Sequence, residues 1–352
     1  MKILAPVLAL AVGAAGATAQ VKNVDLPLSV PFPAANNYPF AGPILRYQQW
    51  YSGLDLKSTV KHPMRVQALW FQATTPGGQA GKTVDLEVRL AHMPVGQPTA
   101  TFDNNLQKDV VIVVPRRTIT LGTATPGSFP VQLTLVNEFV WDGESGVILE
   151  VRVHGNGNGN QAYPFDLLST STSVNSTTRL YTVNNALATT AQQYQSGWGL
   201  VTRFVYREGT SAGYGQGCGG TGGVVPVGGT VGGYPVPANA NWGQRLTSVP
   251  PNLAASVILG SSRTTWGGTP LPFELLVLNA PGCFLLAEPL VILSGTTISI
   301  GPGVGALTIP TPIPPVTSFV GGEMFHQWLV LDPGSANGAL SVSNGVWTVF
   351  GQ

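Results

Sequence analysis

The chain of 352 residues reads as an all-β protein: two antiparallel β-sandwich domains, jelly-roll-like, after an export signal. Three observations predict this. Short apolar runs alternate one-for-one with polar residues, which is the period of a half-buried strand. The 44 glycines and 29 prolines punctuate those runs, as tight turns require. No segment carries a sustained apolar repeat of helical period, and Asn184 to Gln195 is the one weak helix candidate.

Taken in order, residues 1–19 form the signal: Lys2, an apolar stretch from Ile3 to Val12, then Ala17-Thr18-Ala19 as a cleavage site. The stretch is too short to span a bilayer, so the mature chain is expected to begin at Gln20. No cysteine stands directly after the cleavage site to carry a lipid anchor, and no later apolar run is long enough to span. The expected location is secreted or cell-surface, with no membrane insertion.

Residues 20–207 supply the first sandwich. In "VDLEVRL" Val84, Leu86, Val88 and Leu90 share one face, and in "GVILEVRVHG" Val147, Leu149, Val151 and Val153 do the same. "FPVQLTL" and "RVQALWF" follow that pattern, whereas "DVVIVVP" reads as a strand buried on both faces. The signals "TPGG", "TPGS", "WDGESG" and "GNGNGN" mark turns between them. Residues 208–217 read as a glycine-rich linker, and residues 218–352 as a second sandwich built from "LAASVILG", "LPFELLVL", "CFLLAEPLVIL", "TTISIG", "GALTIP" and "FHQWLVLD". Asn344-Gly345 between apolar flanks predicts a hairpin turn.

Several words of this sequence resemble a family. "GCGGTGG…P", "LPFELLVLNAPGC", "GGEMFHQWLVLD" and "SNGVWTVFG" resemble a C-terminal module of secreted proteins from planctomycete-type bacteria, mostly uncharacterised. "RYQQWY", "FDNN" and "FVWDGESGVILEVRVHGN" resemble β-sandwich domains of such exported proteins. The resemblance covers most of the mature chain and implies the fold and export, but transfers no catalytic residue.

Charge narrows the function. Only 9% of residues are charged and the net charge is +1, which gives no electrostatic reason to expect nucleic acid or an anionic membrane. From Gly209 onward the charges are Arg245, Arg263, Glu274, Glu288, Glu323 and Asp332, without a lysine. Such a surface does little to repel its own copies. "GYGQGCGG" contains G-x-G-x-x-G, but a dinucleotide turn must open a helix and be followed by an acid. Here the sequel is rich in Gly and Pro, and no acid appears between Gly220 and Glu274. No cofactor is expected.

Cys218 and Cys283 are expected to form one disulfide, the default in an oxidising compartment. Free reactive thiols are the alternative, disfavoured because no basic cluster lies near either in sequence. His62, His92, His154 and His326 lack metal-ligand spacing. Asp103, Asp109, Asp142 and Glu144 offer oxygen ligands in turns, making them weak calcium candidates beside the plainer reading that they shape the turns. Glu87 and Glu150 are the carboxylates a glycosidase would use. Each neighbours an arginine on its own strand face (Arg89, Arg152), as on a solvated, ion-paired sheet, so no catalytic residue is assigned. Tyr47, Trp50, Tyr51 and Trp141 are the candidate sugar-binding platform; the competing reading places such aromatics in the core. The expected function is a non-enzymatic structural or adhesive surface protein whose partners are extracellular polysaccharide or its own copies. A carbohydrate-binding module is the alternative, and a glycoside-processing enzyme comes third.

Overall fold

The computed structural model describes residues 21–28, 33–40, 42, 44–74, 81–157, 163, 165–169 and 177–352. The signal at 1–19, Gln20 and the turn signal at 75–78 lie outside the described residues. The described chain is all-β, built of antiparallel sheets without a closed barrel. Strands up to Arg207 pair only with one another, and so do strands from Thr210 onward.

In the first set a six-stranded sheet runs in the order Gln193–Ser196, Thr177–Val183, Leu45–Tyr51, Gly146–Asn156, Thr83–Met93, Lys108–Thr120. It faces a four-stranded sheet ordered Val21–Leu26, Thr202–Arg207, Met64–Phe71, Val131–Trp141. The alternation in the sequence decides which side chains meet between them. Val84, Leu86, Val88, Leu90, Val147, Leu149, Val151 and Val153 are wholly buried there, against Phe71, Phe139 and Trp141. Each fully buried aliphatic or aromatic side chain of this kind contributes about 1.5–3 kcal/mol.

The outer face of the six-stranded sheet departs from expectation. It is not solvated around Glu150, because the short 3-10 turn Phe102–Asn105 and the segment around Ala188 lie across it. Phe102, Leu180 and Ala188 form a small second core, and Asn105 donates to Gln48 Oε1 at 2.9 Å. This explains "RYQQWY": Arg46, Gln48 and Trp50 face the covered outer side, while Tyr47, Gln49 and Tyr51 face the inner side, and all are buried.

Other local expectations need correction. Lys108–Thr120, which contains "DVVIVVP", is an edge strand with three register shifts, and Val110 and Ile112 are exposed. Gly53–Thr59 is a helix that the sequence does not announce, since seven residues are too few for a visible period. Ser52 caps it by accepting from the Leu54 amide at 3.2 Å. Asn184 to Gln195 is not helical: Asn184 has φ of 63° and Gln193 begins a strand.

In the second set a five-stranded sheet runs Thr210–Tyr214, Leu340–Val349, Glu323–Leu331, Ala254–Gly260, Val291–Thr296. Its companion runs Val227–Val231, Gly243–Val249, Val304–Pro310, Ile298–Gly301, with Leu246, Val257, Trp328 and Val330 packed between. Cys218 and Cys283 form a disulfide whose ends are 65 positions apart in sequence; closing such a loop contributes about 4 kcal/mol on the chain-entropy model. Asn344-Gly345 is no hairpin turn but lies inside the strand Leu340–Val349. The glycine is needed because the Tyr214 ring lies where a Cβ would stand, and the Asn344 side chain accepts from the Gly228 amide at 3.0 Å. The actual turn is Asp332 to Ala339, closed by Asn337 Oδ1 accepting from the Ala339 and Leu340 amides.

Residues 208–217, read as a linker, are not a free joint. Thr210–Tyr214 pairs along its length with the Leu340–Val349 strand, and Gly217 packs against the Val342 carbonyl. The glycines that suggested flexibility are there for close approach. No helix among the described residues is long and apolar enough to cross a membrane.

Candidate functional site

Where the two sets of sheets meet, a cleft of about 610 Å³ opens. One wall carries His92, Lys108, Asp109 and Asp142; the other is mostly backbone and small side chains, with Tyr214 and Asn344. It exists because the Trp141–Ser145 turn docks onto the second set. Trp141 is fully buried and donates its indole N–H to the Ser145 carbonyl at 2.7 Å, folding the turn back on itself. Gly143, with φ of 84°, lies against the Trp347 ring, where a Cβ would approach Cζ3 to 2.8 Å.

Two cation–aromatic latches hold the walls. Arg263 lies 4.0 Å over the Trp347 ring and donates to Glu144 Oε1 at 2.6 Å, while Lys57 binds the other Glu144 oxygen. Partial burial works against the Glu144 carboxylate, but these hydrogen bonds outweigh it and hold its pKa below the usual range. In the second latch Arg65 stacks 3.3 Å from the Tyr234 ring centre, and Tyr234 donates to Glu138 Oε2 at 2.6 Å. None of these long-range pairings is visible as spacing; a lone arginine among neutral residues, as at Arg263, is the only signal the sequence carries. We expect Gly143→Val to break this docking, since the branched side chain meets Trp347 and Pro63 in a left-handed backbone. Limited proteolysis should leave the wild type intact near 208–217 and release two fragments from the variant; early cleavage of the wild type there would show the docking to be wrong.

The chemistry of the cleft is largely occupied. His92 is 1% exposed, and its Nε2 accepts from the Asp142 amide at 3.2 Å. The ring proton therefore sits on Nδ1, which donates to Asp109 Oδ2 at 3.0 Å. That hydrogen bond is the main cause of the Asp109 carboxyl lying below its ordinary pKa, with partial burial opposing it. With both nitrogens engaged, His92 is a strut between the strand Thr83–Met93 and the docking turn. Asp142 accepts from the Glu144 and Ser145 amides and from Ser145 Oγ at 2.6 Å, so it shapes the turn. Ser211 Oγ is bonded to Thr348 Oγ1 at 2.8 Å. Lys108 and the exposed side of Asp109 remain to meet a polar molecule entering the cleft.

The candidates from the sequence fall elsewhere or into other roles. Tyr47, Trp50, Tyr51 and Trp141 are interior, at 0%, 5%, 1% and 0% exposure, so they offer no open platform. Among the calcium candidates, Asp109, Asp142 and Glu144 line or flank the docking turn, whereas Asp103 binds Arg46 at 2.6 Å. No three potential ligands converge among the described residues. Glu87 accepts from Arg89 at 2.8 Å, and Glu150 is enclosed by Arg46, Gln48 and Arg152 at 2.7–2.8 Å. No family model matches the chain, and no curated protein matches it.

Proposed function

We propose that the protein is an exported, non-enzymatic β-protein that acts by structural or adhesive contact at the cell surface or outside it. The observation that carries this reading is how its polar chemistry is distributed. The carboxylates an acid–base catalyst would use, Glu87 and Glu150, are held by arginines, and His92 is held at both nitrogens. The second set of sheets, by contrast, turns Leu276, Val277, Leu290, Ile292, Ile298 and Ile300 outward, each more than half exposed. A surface of that kind favours contact with neutral polymers or with like surfaces over turnover.

The purified protein is expected to release no soluble sugar from extracellular polysaccharides while its fold stays intact. Release that Glu87→Gln lowers a hundredfold, with unchanged circular dichroism, would make it an enzyme and overturn the reading. Retention on an insoluble polysaccharide, lost on Trp266→Ala, would identify the carbohydrate-binding alternative, because Trp266 is an aromatic at 42% exposure on a hairpin tip.

A further inference from the structure

We infer that the strand Val291–Thr296 is a self-pairing edge, through which two copies of this chain join their five-stranded sheets antiparallel. The strand ends its sheet and has one neighbour, Ala254–Gly260, paired in register from Ala254 with Thr296 to Leu259 with Val291. The Thr297 amide donates to Leu253 O at 2.9 Å, which sets the phase of the ladder. By the alternation of an antiparallel pair, Leu293 and Gly295 then bond inward, and Ile292, Ser294 and Thr296 turn their N–H and C=O away from the sheet. Those backbone groups specify a strand as the occupant.

Proteins guard such edges with charge, proline, bulges or brevity. The other long edges among the described residues are guarded: Val131–Trp141 lies beside Lys108–Thr120, with Asn137 donating to the Ile112 carbonyl and Arg117 to the Thr134 carbonyl, and in Val227–Val231 the Asn344 side chain bonds both backbone groups of Gly228. Lys108–Thr120 carries Lys108, Asp109, Pro115, Arg116 and Arg117 along with its register shifts. Val21–Leu26 carries Lys22 and Asp25. Ile298–Gly301 and Gln193–Ser196 have four residues each, and Thr210–Tyr214 faces the first set of sheets. Val291–Thr296 has six residues, a ladder without a shift and no charge. No residue from 289 to 322 is charged.

A second copy is the occupant that the charge pattern favours. An antiparallel pair about a two-fold axis sets the same strand against itself, so a neutral edge is complementary to itself without further design. Leu290, Val291 and Ile292 are 61%, 49% and 59% exposed and would be covered. A pairing confined to one six-residue strand falls short of the roughly 800 Å² per copy of a standard interface, so association is reversible rather than permanent. This inference rests on the contact reading above and names its partner.

Sedimentation of the full mature chain from micromolar to sub-millimolar concentration tests it. The wild type should form a dimer, with amides of Ile292, Ser294 and Thr296 slowing in hydrogen exchange as concentration rises. Ser294→Pro removes an outward N–H and the exposed hydroxyl contact with Ser256, but no backbone bond to the neighbouring strand, so it should weaken the dimer about tenfold or more while lowering the melting temperature only slightly. Ile292→Lys should do likewise, and Val277→Lys, on an exposed turn, should leave the dimer unchanged. A wild type that stays monomeric overturns the inference, as does a dimer broken by Val277→Lys but not by Ser294→Pro. The contact reading fails separately, on turnover in the polysaccharide assay.

Discussion

Replacing Arg46 with alanine should cost the fold about 3–5 kcal/mol, read as a drop in the urea midpoint. Arg46 is 2% exposed and Glu150 is 0% exposed. The guanidinium donates to Glu150 Oε2 from Nε at 2.8 Å and from Nη2 at 2.7 Å, to the Ala188 carbonyl at 2.8 Å and to Asp103 at 2.6 Å. It also lies 4.7 Å from the Phe102 ring centre. Its loss leaves Glu150 in a buried site with Gln48 and Arg152 as remaining partners, and releases both segments that cover the sheet. The penalty comes from that stranded charge rather than from the worth of the pair itself. The double change Arg46→Met with Glu150→Leu should therefore be less destabilising than Arg46→Ala alone. Arg116→Ala, which removes an exposed pair with Asp85, should leave the urea midpoint nearly unchanged. An Arg46→Ala cost under about 1 kcal/mol would mean that the outer face is open to water.

Acidification should destabilise the second set of sheets through His326. This residue is 0% exposed, its Nδ1 has no partner, and its Nε2 approaches the Gly229 carbonyl at 3.3 Å. Its register neighbours are Leu259 and Val346, both apolar. Burial pushes its pKa down to about 3 from the ordinary 6.5, with the Gly229 carbonyl opposing weakly. The unfolded chain therefore takes up a proton below pH 6.5 that the folded chain refuses until about 3. Stability is whole above 6.5 and falls as pH drops, by about 1.4 kcal/mol per unit at most, or roughly 5 kcal/mol across the full window. The carboxylates with lowered pKa values, such as Asp85 and Asp103, act in the same direction only below about pH 4. The span from 6.5 to 4.5 thus separates the histidines from these carboxylates; His154, whose pKa is lowered by partial burial and by Arg116, acts in the same direction there. Urea unfolding along that span should show a steep slope in the wild type and a much shallower one in His326→Leu; an equal slope in both would assign it elsewhere.

Much of the fold was legible because strand alternation is a local property. Val84 to Leu90 and Val147 to Val153 fix their inward faces without reference to the rest of the chain. The disulfide followed from there being two cysteines in a chain whose sequence reads as exported. The aromatic string from Tyr47 to Tyr51 was less informative, because a platform and a doubly covered strand demand the same residues. Glycine was similarly ambiguous. At Gly217 and Gly345 it permits contact with a neighbour, whereas the sequence suggested a flexible joint and a turn.

By itself the sequence determined the all-β class, the punctuation of the strands, the cysteine pair and the sparsity of charge, since each depends on composition or on residues within a strand's length. Tertiary structure alone decided that Glu150 is covered, that the Trp141–Ser145 turn docks against Trp347, and that Val291–Thr296 lies at an edge. Those facts join residues far apart in the chain. Arg46 and Glu150 are 104 positions apart and Arg263 and Glu144 are 119 apart. No local pattern records which distant segment will lie over a given face, because that choice is made by the summed packing of both sheets.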